Sequence, residues 1–524
     1  MKKTLLTALM ALTAIGGFSQ SIYEIADLST TDLNGTSRFI GMGGAMSSLG
    51  GDLSTMSTNP AAIGLYRKSD VAVTTSLVTQ PGGRKFDGKN KTFVSFDQLG
   101  FVYSFNVDDS PFKFINVGIN YHKQHDFNRL VASSMNDLSG SGYASQTWQL
   151  SDLSNYWQGA DQATPLASMA YEAYLLGDAE SGYSPYGASS HYFNKAQWGS
   201  NQAFDINLSF NINDRVYLGL TATGHNVVNK SSSAYTEDLV QAFTDNELIS
   251  PDGFYTLTNY SSLKGFGYDA KLGIIVRPIA TSNFKVGLSF TLPTHYELTY
   301  RNEAILGTYE NQWGDYDVYG PYIDYDYKIR TPWKFNLSVA NTFFNKLALG
   351  AEYEYADYST ASVSYGDEWD DWDISKDREL NHQADKYLKG THTLKLGAEL
   401  TPVRNLYLRA GYNYVSSPFD KNAHLNQFIN SASVDAATST DYLNTSAINR
   451  YTLGLGFKIG SFYADAVWQY QRQHGDFYAF SALDSEPDFD KYYSYNVPNS
   501  RNACPKQRVG LSRSRIGLTI GYRF

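Results

Sequence analysis

His122 and His125 stand three positions apart, a separation that metal sites use. On a β-strand, however, an offset of three turns two side chains to opposite faces, so no metal site is expected from them. The Gly-x-Ser-x-Gly elbow that exposes an esterase serine does not occur in the chain. Cys504 is the single cysteine, which rules out a disulfide within the chain and a cysteine-ligated metal cluster. No cofactor is expected, and the chain is expected not to be an enzyme.

Other residue types point to binding. Tyrosine and acid alternate or cluster in Asp315–Asp317 and Asp324–Tyr327, in Asp367–Asp373 and in Asp484–Tyr495. Carboxylate clusters suit hard cations, and aromatics beside acids can grip sugars. None of these runs has the glycine-turned spacing of a calcium loop, so solvated loop surface is the plain alternative. A second group is apolar: Trp148, Leu150, Leu153, Tyr156 and Trp157, then Leu166, Met169, Ala170, Ala173 and Tyr174. The last five follow helical spacing after Thr164-Pro165, where proline would open the helix. Trp148, Tyr156, Trp157, Leu166, Met169 and Tyr174 are candidate capture residues for a hydrophobic ligand. The alternative is that they pack on one another and stiffen a long loop.

Composition narrows what positions these groups. The 524 residues include 43 Gly and 41 Tyr, and aromatics make up 15%. Mean hydropathy is −0.37, and no run of about 20 apolar residues follows the N-terminus, so a helical membrane protein is excluded. The formal charge of −10 comes without any basic run, which argues against nucleic acid as a partner.

Alternation is the dominant pattern. In Arg515–Phe524, Ile516, Leu518, Ile520, Tyr522 and Phe524 share one face, while Arg515, Gly517, Thr519, Gly521 and Arg523 share the other. Similar alternation predicts strands near 69–80, 92–107, 112–126, 200–212, 215–229, 263–277, 283–300, 324–342, 346–360, 389–400, 405–416, 448–459, 461–472 and 508–524. Short turns alternate with long insertions, including 127–199, 230–262, 361–388, 417–447 and 473–507. That rhythm, with apolar residues outward and polar or small ones inward, is that of a transmembrane barrel. The expected fold is all-β: a 14-stranded antiparallel transmembrane β-barrel, with long, partly helical extracellular loops.

The N-terminus carries Lys2 and Lys3, the apolar stretch Leu5–Ile15, and small residues at Gly17 and Ser19. That is the form of a signal peptide, 1–19, cleaved on export. Residues 20–68 differ from the rest in their Gly, Ser, Thr and Met content. They hold Gly41, Met42, Gly43 and Gly44, then Asn59, Pro60 and Ala61, which read as close backbone approaches and a turn. A barrel of fourteen strands leaves space that wall side chains do not fill, so 20–68 is expected to be a lumen plug and 69–524 the barrel. A slip in phase between Phe112/Phe114 and Ile115/Val117 suggests a bulge, where a wall gap could open.

The stretch Ser37-Arg38-Phe39-Ile40-Gly41-Met42-Gly43-Gly44-Ala45, followed by Asn59-Pro60-Ala61 and Gly64-Leu65, resembles the opening of the long-chain fatty acid transporter (FadL-like) family of outer-membrane proteins. Thr331-Pro332-Trp333, His392–Glu399, Leu408-Arg409-Ala410-Gly411-Tyr412 ending near Pro418, Arg450–Tyr470 and the C-terminal Phe524 resemble its later strands. The resemblance implies a fourteen-stranded barrel in the bacterial outer membrane, plugged by a hatch to which Gly41, Met42, Gly43, Gly44, Asn59, Pro60 and Ala61 would belong. It implies passive uptake of small hydrophobic molecules such as fatty acids or aromatic compounds, captured at the loops and released through a lateral gap. The implied partners are outer-membrane lipid, the hydrophobic ligand, and the barrel assembly machinery through Phe524. The very long 127–199 insertion departs from the family. Two rival functions fit the same residues: a barrel partner in protein secretion or surface attachment, and a surface adhesin or glycan-binding barrel.

Overall fold

Two-residue turns with both central residues at positive φ suit the twist of antiparallel strands. Asn213 and Asp214 (φ 52° and 55°) form one, and Phe344 and Asn345 (φ 53° and 54°) another. Such turns join strands in a computed structural model that describes residues 21–107, 109–138, 142, 165–173, 175, 187–240, 242–243, 248–249, 253–310, 314–365, 375–425, 431, 437–480 and 504–524. The expected signal peptide, Trp148, Tyr156, Trp157, Tyr174 and the acidic runs 367–373 and 484–495 lie outside the described residues.

Among the described residues, fourteen antiparallel strands follow one another around a ring. They are β1 (Asp70–Thr79), β2 (Thr92–Asn106), β3 (Phe112–Asp126), β4 (Gly187–Ile212), β5 (Val216–Val240), β6 (Phe254–Val276) and β7 (Lys285–Thr291 with His295–Tyr309). There follow β8 (Ile323–Arg330 with Lys334–Phe343), β9 (Leu347–Asp357), β10 (Gly390–Leu400), β11 (Leu406–Val415), β12 (Ile448–Ile459), β13 (Phe462–Arg472) and β14 (Arg513–Arg523). β14 pairs with β1 from Arg523↔Asp70 to Ser514↔Thr79, which closes the ring.

Burial runs opposite to that of a water-soluble protein. On β14, Ile516, Leu518 and Ile520 are exposed, whereas Arg515, Gly517 and Thr519 are buried. On β4 the exposed residues are Phe204, Ile206 and Leu208, and the buried ones Asp205, Asn207 and Ser209. A closed ring with an apolar exterior and a polar interior is a membrane-spanning barrel of the outer-membrane type.

Three features depart from a plain barrel. β4, β5 and β6 have 26, 25 and 23 residues, where roughly 9–11 suffice to cross a bilayer. They therefore rise well above it on the long-loop side. β7 and β8 are each interrupted, and the common register of their two halves sets Pro293 opposite Pro332. Proline offers no N–H to a ladder, and the break is bridged by Thr331 N–H to Thr294 O (3.0 Å) and Thr294 N–H to Thr331 Oγ1 (2.9 Å). Helices are few among the described residues: α1 (Ile22–Ser29) and α2 (Ser37–Gly41) precede the first strand, and α3 (Pro165–Glu172) and α4 (Arg378–Tyr387) lie in loops. The last two fall in the insertions 127–199 and 361–388.

Candidate functional site

Residues 21–68 sit against inward-facing side chains of strands all round the ring. Ser37 N–H donates to Thr519 Oγ1 on β14 (2.7 Å), Ser48 bonds Ser338 on β8 (2.5 Å), and Asn116 Nδ2 on β3 donates to Ile63 O (2.8 Å). Close backbone approach needs glycine on both sides. Gly43, at φ +62°, lies against the main chain of Leu396 and Tyr412, and a Cβ on Gly411 would overlap Gly43 N. Asn59 is fully buried and caps a short 3₁₀ helix, Pro60–Leu65: its Oδ1 accepts from Ala61 N–H (3.1 Å), and Pro60 takes the first position. The Asn-Pro pair is thus a helix start rather than a plain turn. Gly41, Met42, Gly44 and Ala61 are buried in the same contacts.

Charge fastens this segment. Arg38 forms a bidentate pair with Glu399 (2.8 and 2.9 Å), and Arg409 also donates to Glu399 (2.6 Å) while reaching Asp465. Thr36 caps α2 by accepting from Phe39 N–H, and it donates to the buried Asp52 (2.7 Å).

The wall itself is interrupted beside β3. Its pairing with β2 ends at Gln98↔His122, whereas pairing with β4 continues to Asp126↔Ser200 through a register shift between Lys123 and His125. A short strand, Arg129–Met135, carries on along β4. Residues Thr92–Phe96 of β2 pair only with β1 among the described residues, and Asp97 is bulged out between Phe96↔Thr75 and Gln98↔Thr74. The outer lips of this slot are apolar, with Val94 exposed and the Phe96 and Tyr121 rings 5.4 Å apart. Its inner side is polar: Lys123 Nζ donates to Ser95 Oγ (2.6 Å), and Ser95 donates to Asp97 (2.7 Å). Above the slot, the Gln80 amide donates to Leu130 O (2.7 Å) and accepts from Leu130 N–H (3.0 Å), copying a peptide pair.

The main-chain groups that β3 loses from β2 are taken up by the lumen segment. Asn34 Nδ2 donates to Lys123 O (2.8 Å), Asp32 N–H to Gln124 O (2.9 Å), and Asp126 N–H to Asp32 Oδ2 (2.9 Å). Burial pushes the Asp32 carboxyl up, but His125, then Arg450 and Arg513, outweigh it and hold it well below the usual carboxylate range.

The register shift also corrects the reading of the two histidines. With an extra residue in the bulge, both His122 and His125 point inward and are buried. They still take different partners: His122 Nδ1 lies 3.1 Å from Asp205, and His125 Nδ1 lies 3.2 Å from Asp32. From Asp205 the polar chain runs through Thr223 and Lys271 to Asp269 and His225, with links of 2.7–2.8 Å. The expected bulge near Phe112 and Phe114 is present too, but it lies at the short-turn end, away from the slot.

Over this charged floor, on the long-loop side, lies a cavity of about 240 Å³. α1 reaches into it. Tyr23 packs on Phe419 and Tyr442, and its hydroxyl donates to Asn444 Oδ1 (2.9 Å). Burial pushes the Glu24 carboxyl up to about 8; the neighbouring Tyr327 hydroxyl opposes this and the Asp27 charge adds to it. The roof comes from α4, capped by Asp377 accepting from Leu380 N–H (2.8 Å), and from Phe419. Asp27 and Arg129, paired at 2.8 Å, line both this cavity and a smaller one of about 60 Å³ behind Asp126.

Leu166 and Met169 do not line the cavity. They are buried in a loop core with Leu257, Leu306 and Phe477, and the helix carrying them opens at Pro165 as its sequence indicates. Tyr325 and Tyr327 belong to β8 rather than a loop and are buried inward, whereas Asp324 pairs with Arg301 outside (3.0 Å). Sequence reasoning missed the slot, Asp32, and α4. Only the tightly spaced polar residues Gln124–Asp126 hinted at the first.

Fold and site together define a membrane barrel with an occupied lumen, a chamber under the loops and a break in its wall. No family model matches the chain, and no curated protein matches it. Among solved structures it is similar to a Pseudomonas aeruginosa FadL homologue (11% identity, 94% of this chain and 99% of that one, TM-score 0.49). It is similar also to the monoaromatic hydrocarbon channel CymD (12%, 94% and 98%, TM-score 0.46) and the Ralstonia pickettii toluene transporter TbuX (12%, 94% and 98%, TM-score 0.46).

Proposed function

We propose that the chain takes small hydrophobic molecules across the outer membrane by passive uptake, through the chamber and out sideways through the β2–β3 slot. The observation that carries this reading is the break in the ladder between Thr92–Asp97 and β3, finished from inside by Asp32 and Asn34. A closed barrel has no structural need for a free edge at membrane depth. The charged chain from His122 to His225 would oppose an apolar solute moving straight down, whereas the slot opens towards lipid between apolar lips. Residues 20–68 act as the plug, and Trp148, Tyr156, Trp157 and Tyr174 are capture residues on the outer loops. Residues 1–19 are a signal peptide removed on export, which N-terminal sequencing of the mature protein checks. Phe524 is the contact with the barrel assembly machinery.

The test is uptake of radiolabelled toluene or fatty acid by cells or proteoliposomes carrying the barrel. In a Cys504→Ala background, Ser95→Cys with Lys123→Cys bridged by a bis-maleimide should abolish uptake, and the unbridged pair should retain it. Uptake that survives bridging would sink the lateral route.

A further inference from the structure

β4, β5 and β6 continue above the bilayer with their inward faces in register, and this places polar residues in rows. Gln197, Ser231 and Ser261 stand opposite one another across the three strands, and Lys195, Ser233 and Asn259 form the next row. All six line the chamber. Adjacent strands are roughly 4.8 Å apart, so the rows make a flat lattice of hydroxyl and amide groups. Neighbours already bond within it: Ser231 Oγ to Ser261 Oγ at 2.8 Å, and Gln197 Nε2 to Asn229 Oδ1 at 3.1 Å. The rest of the lining is mixed, with an apolar part built from Ile22, Tyr23, Leu380, Phe419, Leu443 and Phe477 beside polar groups such as Gln383 and Thr445.

Electrostatics decides what fits in the chamber. Among the described residues, the lysine and the arginine that line the chamber are each already paired, Lys195 with Asp441 (2.8 Å) and Arg129 with Asp27 (2.8 Å), and the His424 ring is engaged by Asn422 O (2.8 Å). An ionised carboxylate entering here would lose its water without gaining an unpaired cation, which is costly. A bare hydrocarbon would leave the lattice facing grease, stripping water from groups that need hydrogen bonds. Burial favours the uncharged form of Glu24, which adds a donor rather than a charge.

We infer that the chamber's preferred ligand is a nonionic amphiphile, an acyl or aromatic body bearing a hydroxylated head, as in a monoacylglycerol or alkyl glycoside. This rests on the uptake reading above, which leaves the ligand's polar part unspecified.

The test uses the full chain in lipid nanodiscs, free of detergent, with monolaurin, laurate and toluene as probes. Monolaurin should bind at least tenfold more tightly than laurate at pH 7. Ser231→Val with Ser261→Val should weaken monolaurin about tenfold without weakening toluene binding, while Ser231→Thr with Ser261→Thr should restore monolaurin. Retention of the heat-modifiable gel shift verifies that each variant is folded. Laurate binding as tightly as monolaurin, or monolaurin indifferent to the double valine variant, overturns the assignment. Transport in liposomes separates the two claims: monolaurin bound but nothing transported would refute uptake alone, and toluene transported without monolaurin binding would refute the head-group assignment alone.

Discussion

Asp32 and Gln124 are joined main chain to main chain, Asp32 N–H to Gln124 O at 2.9 Å, although one lies in the lumen segment and the other in the barrel wall. The bond replaces one that Gln124 would otherwise make within the sheet. Asp32 also accepts Asp126 N–H. The inner segment is therefore a structural part of the wall at that point, and displacing it leaves buried peptide groups without partners.

Asp32→Ala should loosen both partners together. An orphaned buried N–H costs about 1–3 kcal/mol, so hydrogen exchange should quicken in Ile22–Ser29 and in Lys123–Asp126 alike, and ligand uptake should rise. Exchange confined to one of the two segments would show that they are uncoupled.

Arg38→Ala should destabilise the seating of the lumen segment by about 3 kcal/mol, because it leaves Glu399 and Arg409 in an unbalanced buried cluster. Planar bilayer recordings should then show ion-conducting openings that the parent lacks. Silent recordings would place the fastening elsewhere.

The pH response follows from Glu24, whose carboxyl is raised from an ordinary 4.5 to about 8. A raised folded value means that its contribution is fully present below about pH 4.5 and is lost as pH climbs through 8. Protection of α1 against exchange, corrected for the intrinsic rate, should fall between pH 6 and pH 9. Glu24→Gln should flatten that dependence.

Leu518→Arg places a charge on the lipid-facing side and should cost roughly 2–4 kcal/mol near the midplane. Thr519→Arg would be mild if the inward face met only water. Here Thr519 is wholly buried and bonds both Ser37 and Thr74, so that change should eject the lumen segment while the barrel still folds. Gel mobility and conductance distinguish the two failures.

Wall strands were legible because lipid imposes a strict apolar phase on every second residue, and short turns because Asn213–Asp214 and Asn345 tolerate positive φ. Above the bilayer that pressure vanishes. Ser231–Ser233 and Thr256–Thr258 extend β5 and β6 without a steady outward apolar phase to mark them, and against their ranges of Val216–Val240 and Phe254–Val276 the two strands looked too short. α4, with the sequence RELNHQADKY, is too polar for its four buried positions to stand out. The inward turn of His122 and His125 depended on one bulged residue, and a period of two cannot reveal an insertion that resets it. Asn59 was found by composition, but its capping geometry needed the fold.

The height of β4–β6 has a consequence for where a ligand first leaves water. At about 3.3 Å per residue, and tilted, these strands set the chamber's polar lattice well outside the lipid headgroups. A molecule can be sheltered there before it touches the outer leaflet, so its capture does not depend on how readily it dissolves in that leaflet.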